Sequence, residues 1–141
     1  MKDKVILLVE DNPDDIELIQ RALRQNHIAN EMIVTRDGAE ALDYLLGPEA
    51  EQRPLPVVIL LDLKLPKVDG HEVLRRIRAE ERTKLLPVVI LTTSDEQQDI
   101  IRSYANGASS YVRKPVDFDE FVQAARTLGV YWLVLNEPPR P

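Results

Sequence analysis

Three uninterrupted runs of apolar, largely β-branched residues, 5–9, 57–61 and 88–91, constrain this chain more than any other feature. A strand with one wet face alternates apolar and polar residues. A continuous apolar run of this length suits a strand buried on both faces of a parallel sheet. Each run is followed by a helix-start signal: Asn12-Pro13-Asp14-Asp15, Asp69-Gly70-His71-Glu72, and Ser94 with Gln97. In each, a capping side chain precedes residues suited to a first helical turn. Shorter strands at 32–34 and 110–112 precede the same signal in Asp37-Gly38-Ala39-Glu40 and Asp117-Phe118-Asp119-Glu120.

The helices that follow each carry one apolar face. Those faces are Ile16, Ile19, Ala22 and Leu23; Ala41, Leu42, Leu45 and Leu46; Val73, Leu74 and Ile77; a thinner one of Ile100, Ile101 and Tyr104 on a helix over 95–106; and Phe118, Phe121, Val122 and Ala125. Strand then helix, repeated through five units, predicts an α/β fold with a doubly wound parallel sheet. The order 2-1-3-4-5, a common doubly wound arrangement, places the three long strands inside. Residues 49–56 read as a polar, proline-rich surface loop.

A chain of 141 residues is one ordinary domain. The absence of cysteine excludes disulfides and thiolate metal sites. No signal segment or long apolar span is evident, so a cytoplasmic location and no membrane association are expected. A net charge of -6 and the lack of a basic stripe argue against direct nucleic-acid binding. His27 and His71 have no ligand-spaced partner and read as surface residues.

In an open α/β sheet, ligands bind at the carboxyl ends of the strands. The predicted order brings Glu10, Asp11, Asp62, Thr92 and Lys114 to that rim. Clustered carboxylates repel unless a cation joins them, and a hard divalent ion such as Mg2+ prefers oxygen ligands. Lys114 and Thr92 suit phosphoryl oxygens, and Asp62, placed between metal and lysine, suits a nucleophile toward phosphorus.

The segments LLVEDNPDD, ILLDLKLPKVDG, VVILTTS and SSYVRKP, in this order and spacing, resemble the receiver domain of two-component response regulators over residues 3–128. The resemblance implies a flavodoxin-like (βα)5 fold and a receiver domain over 1–128. Asp62 would be the phosphoacceptor, and Glu10, Asp11, Asp62 and the Lys64 backbone carbonyl would hold Mg2+. Thr92 and Lys114 would contact the phosphoryl group, with Thr92 and Tyr111 as the switch pair and Lys64 and Ser94 near the path of attacking water. Lys114-Pro115 matches a cis peptide in that family. A sensor histidine kinase would supply the phosphoryl group. The receiver would be a switch rather than an enzyme, with weak self-phosphorylation and autodephosphorylation.

Beyond Ala125 the sequence is apolar on nearly every side of a helix, which suits either a tail folded onto its own domain or a contact surface. Residues 129–141 read as an extension of the fifth helix and a frayed proline-rich tail, with no output domain. Its ending, with EDNPDD, is similar to stand-alone regulators paired with bacterial phytochromes, many of them dimers. A homodimer is therefore expected, with Tyr104, Phe121, Val130, Tyr131, Trp132, Leu133 and Val134 as candidate contacts. Two rival readings are a receiver-like module that binds constitutively without phosphate, and a metal-dependent phosphohydrolase.

Overall fold

The computed structural model describes residues 4–115 and 117–137, with only the backbone described at Val134. Five parallel strands, β1 (Ile6–Val9), β2 (Met32–Thr35), β3 (Val58–Leu61), β4 (Val88–Thr92) and β5 (Ser110–Arg113), form one sheet in the order β2-β1-β3-β4-β5. Five helices alternate with them: α1 (Pro13–Gln25), α2 (Gly38–Leu46), α3 (Gly70–Ala79), α4 (Gln97–Ala105) and α5 (Phe118–Gly129). This is the flavodoxin-like topology expected.

The continuous apolar runs have a simple origin. Successive residues of a strand point to opposite faces, and both faces of this sheet are covered. Ile6, Leu8, Val58, Leu60, Val89 and Leu91 pack with α1, α5 and the tail. Leu7, Val9, Ile59, Leu61, Val88 and Ile90 pack with α2 and α3.

Helix starts follow the capping residues with one exception. Asn12 accepts from the amides of Asp14 and Asp15, and Asp37 and Asp69 accept from those of Glu40 and Glu72. Ser94 does not cap α4, which begins at Gln97 with no side-chain cap. The Ser94 hydroxyl is instead engaged with Asp99, so the stretch before Gln97 remains a loop. Two further expectations are corrected. Phe118 is only half-buried, with the Arg21 guanidinium over its ring, 4.8 Å from the centroid. The Lys114–Pro115 bond is trans, the ordinary preference even before proline. Ser103 is the only buried residue of α4, so this helix is the most lightly anchored of the five.

Past α5 the chain continues without a break into a π-helical segment, Val130–Leu135. Gly129 is buried at the junction, where a Cβ would fall well inside contact distance of Ile28. A larger residue there would have to displace the Ile28 side chain. The Lys4 ammonium donates to the Leu133 carbonyl at 2.6 Å, partly satisfying the segment's end.

Candidate phosphoryl and metal site

Ladder hydrogen bonds run one residue past the strands and fix the rim. The amide of Glu10 donates to Thr35 O at 3.0 Å, that of Asp62 to Val9 O at 3.1 Å, and that of Lys114 to Thr92 O at 2.7 Å. These bonds place one polar side chain at the end of each inner strand and of β5. The loop beyond Asp62 is held down by α3, whose first residue, Gly70, leaves no room for a Cβ against Asp62 O and the Leu63 Cα. A tight turn at Lys67, with φ of 67° and Val68 N donating to Pro66 O, bends that loop across the rim.

Glu10, Asp11 and Asp62 each offer a carboxylate oxygen, all within 4.8 Å of one another. Glu10 and Asp62 are buried, at 1% and 7% exposure, while Asp11 opens to solvent. The Lys114 ammonium donates to Glu10, to Asp15 at 2.8 Å and to Asp62 at 3.2 Å. One Asp62 oxygen faces that lysine; the other accepts from the Lys64 amide at 3.4 Å. On the neighbouring strand Thr92 is fully buried, and its hydroxyl has no partner among the described residues. An all-oxygen donor set with one side open to water fits a hard divalent cation. The buried hydroxyl and ammonium beside it suit an anionic oxygen.

Electrostatics supports the same reading. Burial pushes the Glu10 carboxyl up to about 7, the Lys114 hydrogen bond opposing and the Asp62 charge reinforcing the rise. Burial alone would pull Lys114 down, but hydrogen bonds to Asp15 and Glu10 and the Asp62 charge hold it above the ordinary lysine value. So Lys114 is held charged while Glu10 is pushed toward neutrality: a single cation is shared among too many acids. Glu10 takes up its extra proton only when folded, which makes the metal-free protein lose stability as pH rises from about 4.5 through 7. The expected loss is on the order of 2 kcal/mol, read from urea midpoints in chelator at pH 5 and pH 8. A midpoint that climbs over this range would contradict the crowding of these acids.

The structure brings Glu10, Asp11, Asp62, Thr92 and Lys114 together and adds Asp15, which the sequence places only in the first turn of a helix. Asp15 lies four residues beyond Asp11, so the first turn of α1 returns it to the rim. Tyr111 is half-buried and turned inward, its hydroxyl donating to Ser94 O at 2.8 Å. His71 is not a surface residue: it is buried, with Nε2 3.1 Å from Asp99 Oδ1, because residues 71, 74 and 77 share the inner stripe of α3. His27 is exposed as expected.

The sequence matches the model of the response regulator receiver domain over residues 6–126. This chain belongs to the receiver domain family. By sequence the receiver is 45% identical, over 97% of its length and 88% of the relative's, to the probable methanogenesis regulatory protein FilR2 of Methanothrix harundinacea. It is 41% identical to the response regulator Rcp1 of Synechocystis sp., over 92% and 89% of the two chains. The crystal structure of the Mn2+-bound form of Rcp1 superposes with a TM-score of 0.88 at 40% identity, over 97% of this chain and 99% of that one. The phosphorylated cyanobacterial phytochrome response regulator RcpA superposes at 0.89 and 40% identity over the same shares. No helix among the described residues of the receiver is long and apolar enough to cross a membrane.

The candidate contact residues separate into two groups. Phe121, Trp132 and Leu133 are buried in the receiver's own core and are withdrawn as surface contacts: Phe121 lies on the inner face of α5, and the π-helical segment turns Trp132 and Leu133 inward. Tyr104, Val130 and Tyr131 are exposed. Val134 falls outside the described side chains, and residues 138–141 of the expected frayed tail fall outside the described chain.

Proposed function

We propose that Asp62 accepts a phosphoryl group from a phosphohistidine of a sensor histidine kinase, and that the receiver acts as a switch rather than as an enzyme with a turnover substrate. The observation that carries this reading is the Asp62 carboxylate lying 3.2 Å from the Lys114 ammonium, beside two more acids and the unpartnered Thr92 hydroxyl. Glu10, Asp11, Asp62 and the Lys64 backbone carbonyl would hold Mg2+, which neutralises charge on the transferring group and aligns it. An Asp62 oxygen attacks phosphorus, the P–N bond to the kinase histidine breaks, and the electron pair leaves with the imidazole, which takes up a proton. Lys114 stabilises the oxygens of the acyl phosphate, and water later cleaves it.

The Thr92 hydroxyl gains a phosphoryl oxygen as partner, and its movement is transmitted to Tyr111. The readout face is then α4, β5 and α5. The light anchoring of α4 supports this, since a helix held by few contacts shifts at small cost. The kinase we favour is a bacterial phytochrome, supported by the likeness to RcpA, and the location we favour is the cytoplasm. Val130, Tyr131 and Leu135 of the extension are read as part of the receiver's contact surface. A homodimer is supported by the exposed Ile101, Tyr104, Val130, Tyr131 and Leu135, with no direct role for nucleic acid or membrane.

Incubating the protein with a small phosphodonor and Mg2+ and reading intact mass tests the central step. One phosphoryl adduct, labile to hydroxylamine and absent in Asp62→Asn or in chelator, is expected. No adduct on a folded wild type would favour a constitutive binding module. Steady release of phosphate from a phosphomonoester would favour a phosphohydrolase.

A further inference from the structure

His71, Asp99 and Ser94 form a chain of side chains that the transfer chemistry does not use. His71 Nε2 and Asp99 Oδ1 are 3.1 Å apart, and the Ser94 hydroxyl donates to Asp99 Oδ2 at 2.6 Å. An ionised carboxylate only accepts, so the imidazole proton sits on Nε2. The two hydrogen bonds to Ser94 and His71 hold the Asp99 carboxyl below the usual carboxylate range. The Ser94 oxygen accepts in turn from the Glu96 amide at 3.3 Å, and its backbone carbonyl receives the Tyr111 hydroxyl. His71 is therefore a buried anchor on α3, nine residues beyond Asp62, tied through one residue of α4 to the loop that leaves Thr92.

This geometry has two consequences. The Ser94 proton is committed to Asp99 and is not free to orient water at the rim. The Ser94 carbonyl, fixed by the same contacts, is the partner that keeps Tyr111 inward. We propose that His71 and Asp99 are positioning residues that act through Ser94 to set the lifetime of the phosphoryl group on Asp62. The proposal rests on Asp62 being the phosphoacceptor. Releasing Ser94 frees its hydroxyl two residues beyond Thr92 and loosens the loop that carries it, so the phosphoryl group is lost sooner.

The test is the rate of adduct loss by intact mass after phosphodonor is removed, with the melting temperature recorded for each protein. Asp99→Ala and His71→Leu are expected to accelerate loss about fivefold, the equivalent of one ordinary hydrogen bond at ~1 kcal/mol. His71→Gln keeps an N–H able to reach Asp99 and is expected to stay within about twofold of wild type. In a Ser94→Ala background, Asp99→Ala is expected to add nothing, the signature of residues acting in one chain. Asp99 is partly exposed, so its alanine variant tests the idea even if His71→Leu folds poorly. Equal decay in wild type and Asp99→Ala would overturn the proposal. So would an acceleration that persists undiminished without the Ser94 hydroxyl. Failure of the wild type to form any adduct would instead overturn the assignment of Asp62.

Discussion

Lys114→Met is expected to destabilise the metal-free protein by about 3 kcal/mol, the lower end of the cost of removing one partner from a buried ion pair. Methionine keeps the length and apolar stem of lysine, so little packing is lost. What disappears is the cation that Glu10, Asp15 and Asp62 share among the described residues. Glu10 and Asp62 are then left buried without compensation, while Asp11 is already exposed to water, which keeps the cost toward the low end. Mg2+ brings charge of the same sign to the same carboxylates, so millimolar Mg2+ should recover much of the loss. Urea midpoints for both proteins in chelator and in Mg2+ measure this. A loss that Mg2+ leaves untouched would mean that Lys114 stabilises the fold through its stem rather than through its charge. Acyl-phosphate formation on Asp62 should also fall, because the departing Lys114 is the donor that the phosphoryl oxygens would meet.

The behaviour of Lys114 also shows which parts of the molecule are legible in the sequence. Its place at the rim follows from strand order: the continuously apolar runs call for three inner strands, and the common doubly wound order 2-1-3-4-5 places them inside. Those are strong signals, because burial on both faces of a sheet leaves no polar residue in β1, in β3 or in β4 before its last position, Thr92. The acids at the strand ends stand out for the same reason. Asp15 does not, since an acid in the first turn of a helix has a sufficient explanation in the helix dipole. Only the fold reveals that it reaches the same ammonium as Glu10. His71 and Asp99 are 28 residues apart with no shared local pattern, and their pairing depends on how α3 and α4 pack. One clue was present: His71 precedes Leu74 and Ile77 at threefold spacing, on the stripe that faces inward. The misread cap at Ser94 has the same origin, for a serine before a helix caps it only when no better partner competes, and Asp99 competes.

The tail was the stretch where sequence pattern left two outcomes, and the structure divides it residue by residue. Trp132→Ala is expected to cost about 3 kcal/mol and to lower the melting temperature by roughly 10 °C, within the range for deleting a buried aromatic side chain from a domain of this size. Trp132 is 9% exposed and shares a cluster with Ile6, Leu8, Phe121 and Ala125, so its removal opens a cavity between the tail and the sheet. Its neighbour Tyr131 touches it edge-on, with ring centroids 4.9 Å apart, but faces solvent at 49% exposure. Tyr131→Ala should therefore change stability by less than about 1 kcal/mol. If the tail is a contact between copies, the same variant should move the protein toward monomer in sedimentation. The pair of substitutions separates the two roles because one acts on the monomer and the other on its surface. An unchanged melting temperature for Trp132→Ala would mean that the segment does not hold to its own domain in solution. Unchanged sedimentation of a dimeric wild type and its Tyr131→Ala variant would move the interface away from the tail, toward Ile101 and Tyr104 on the lightly anchored α4.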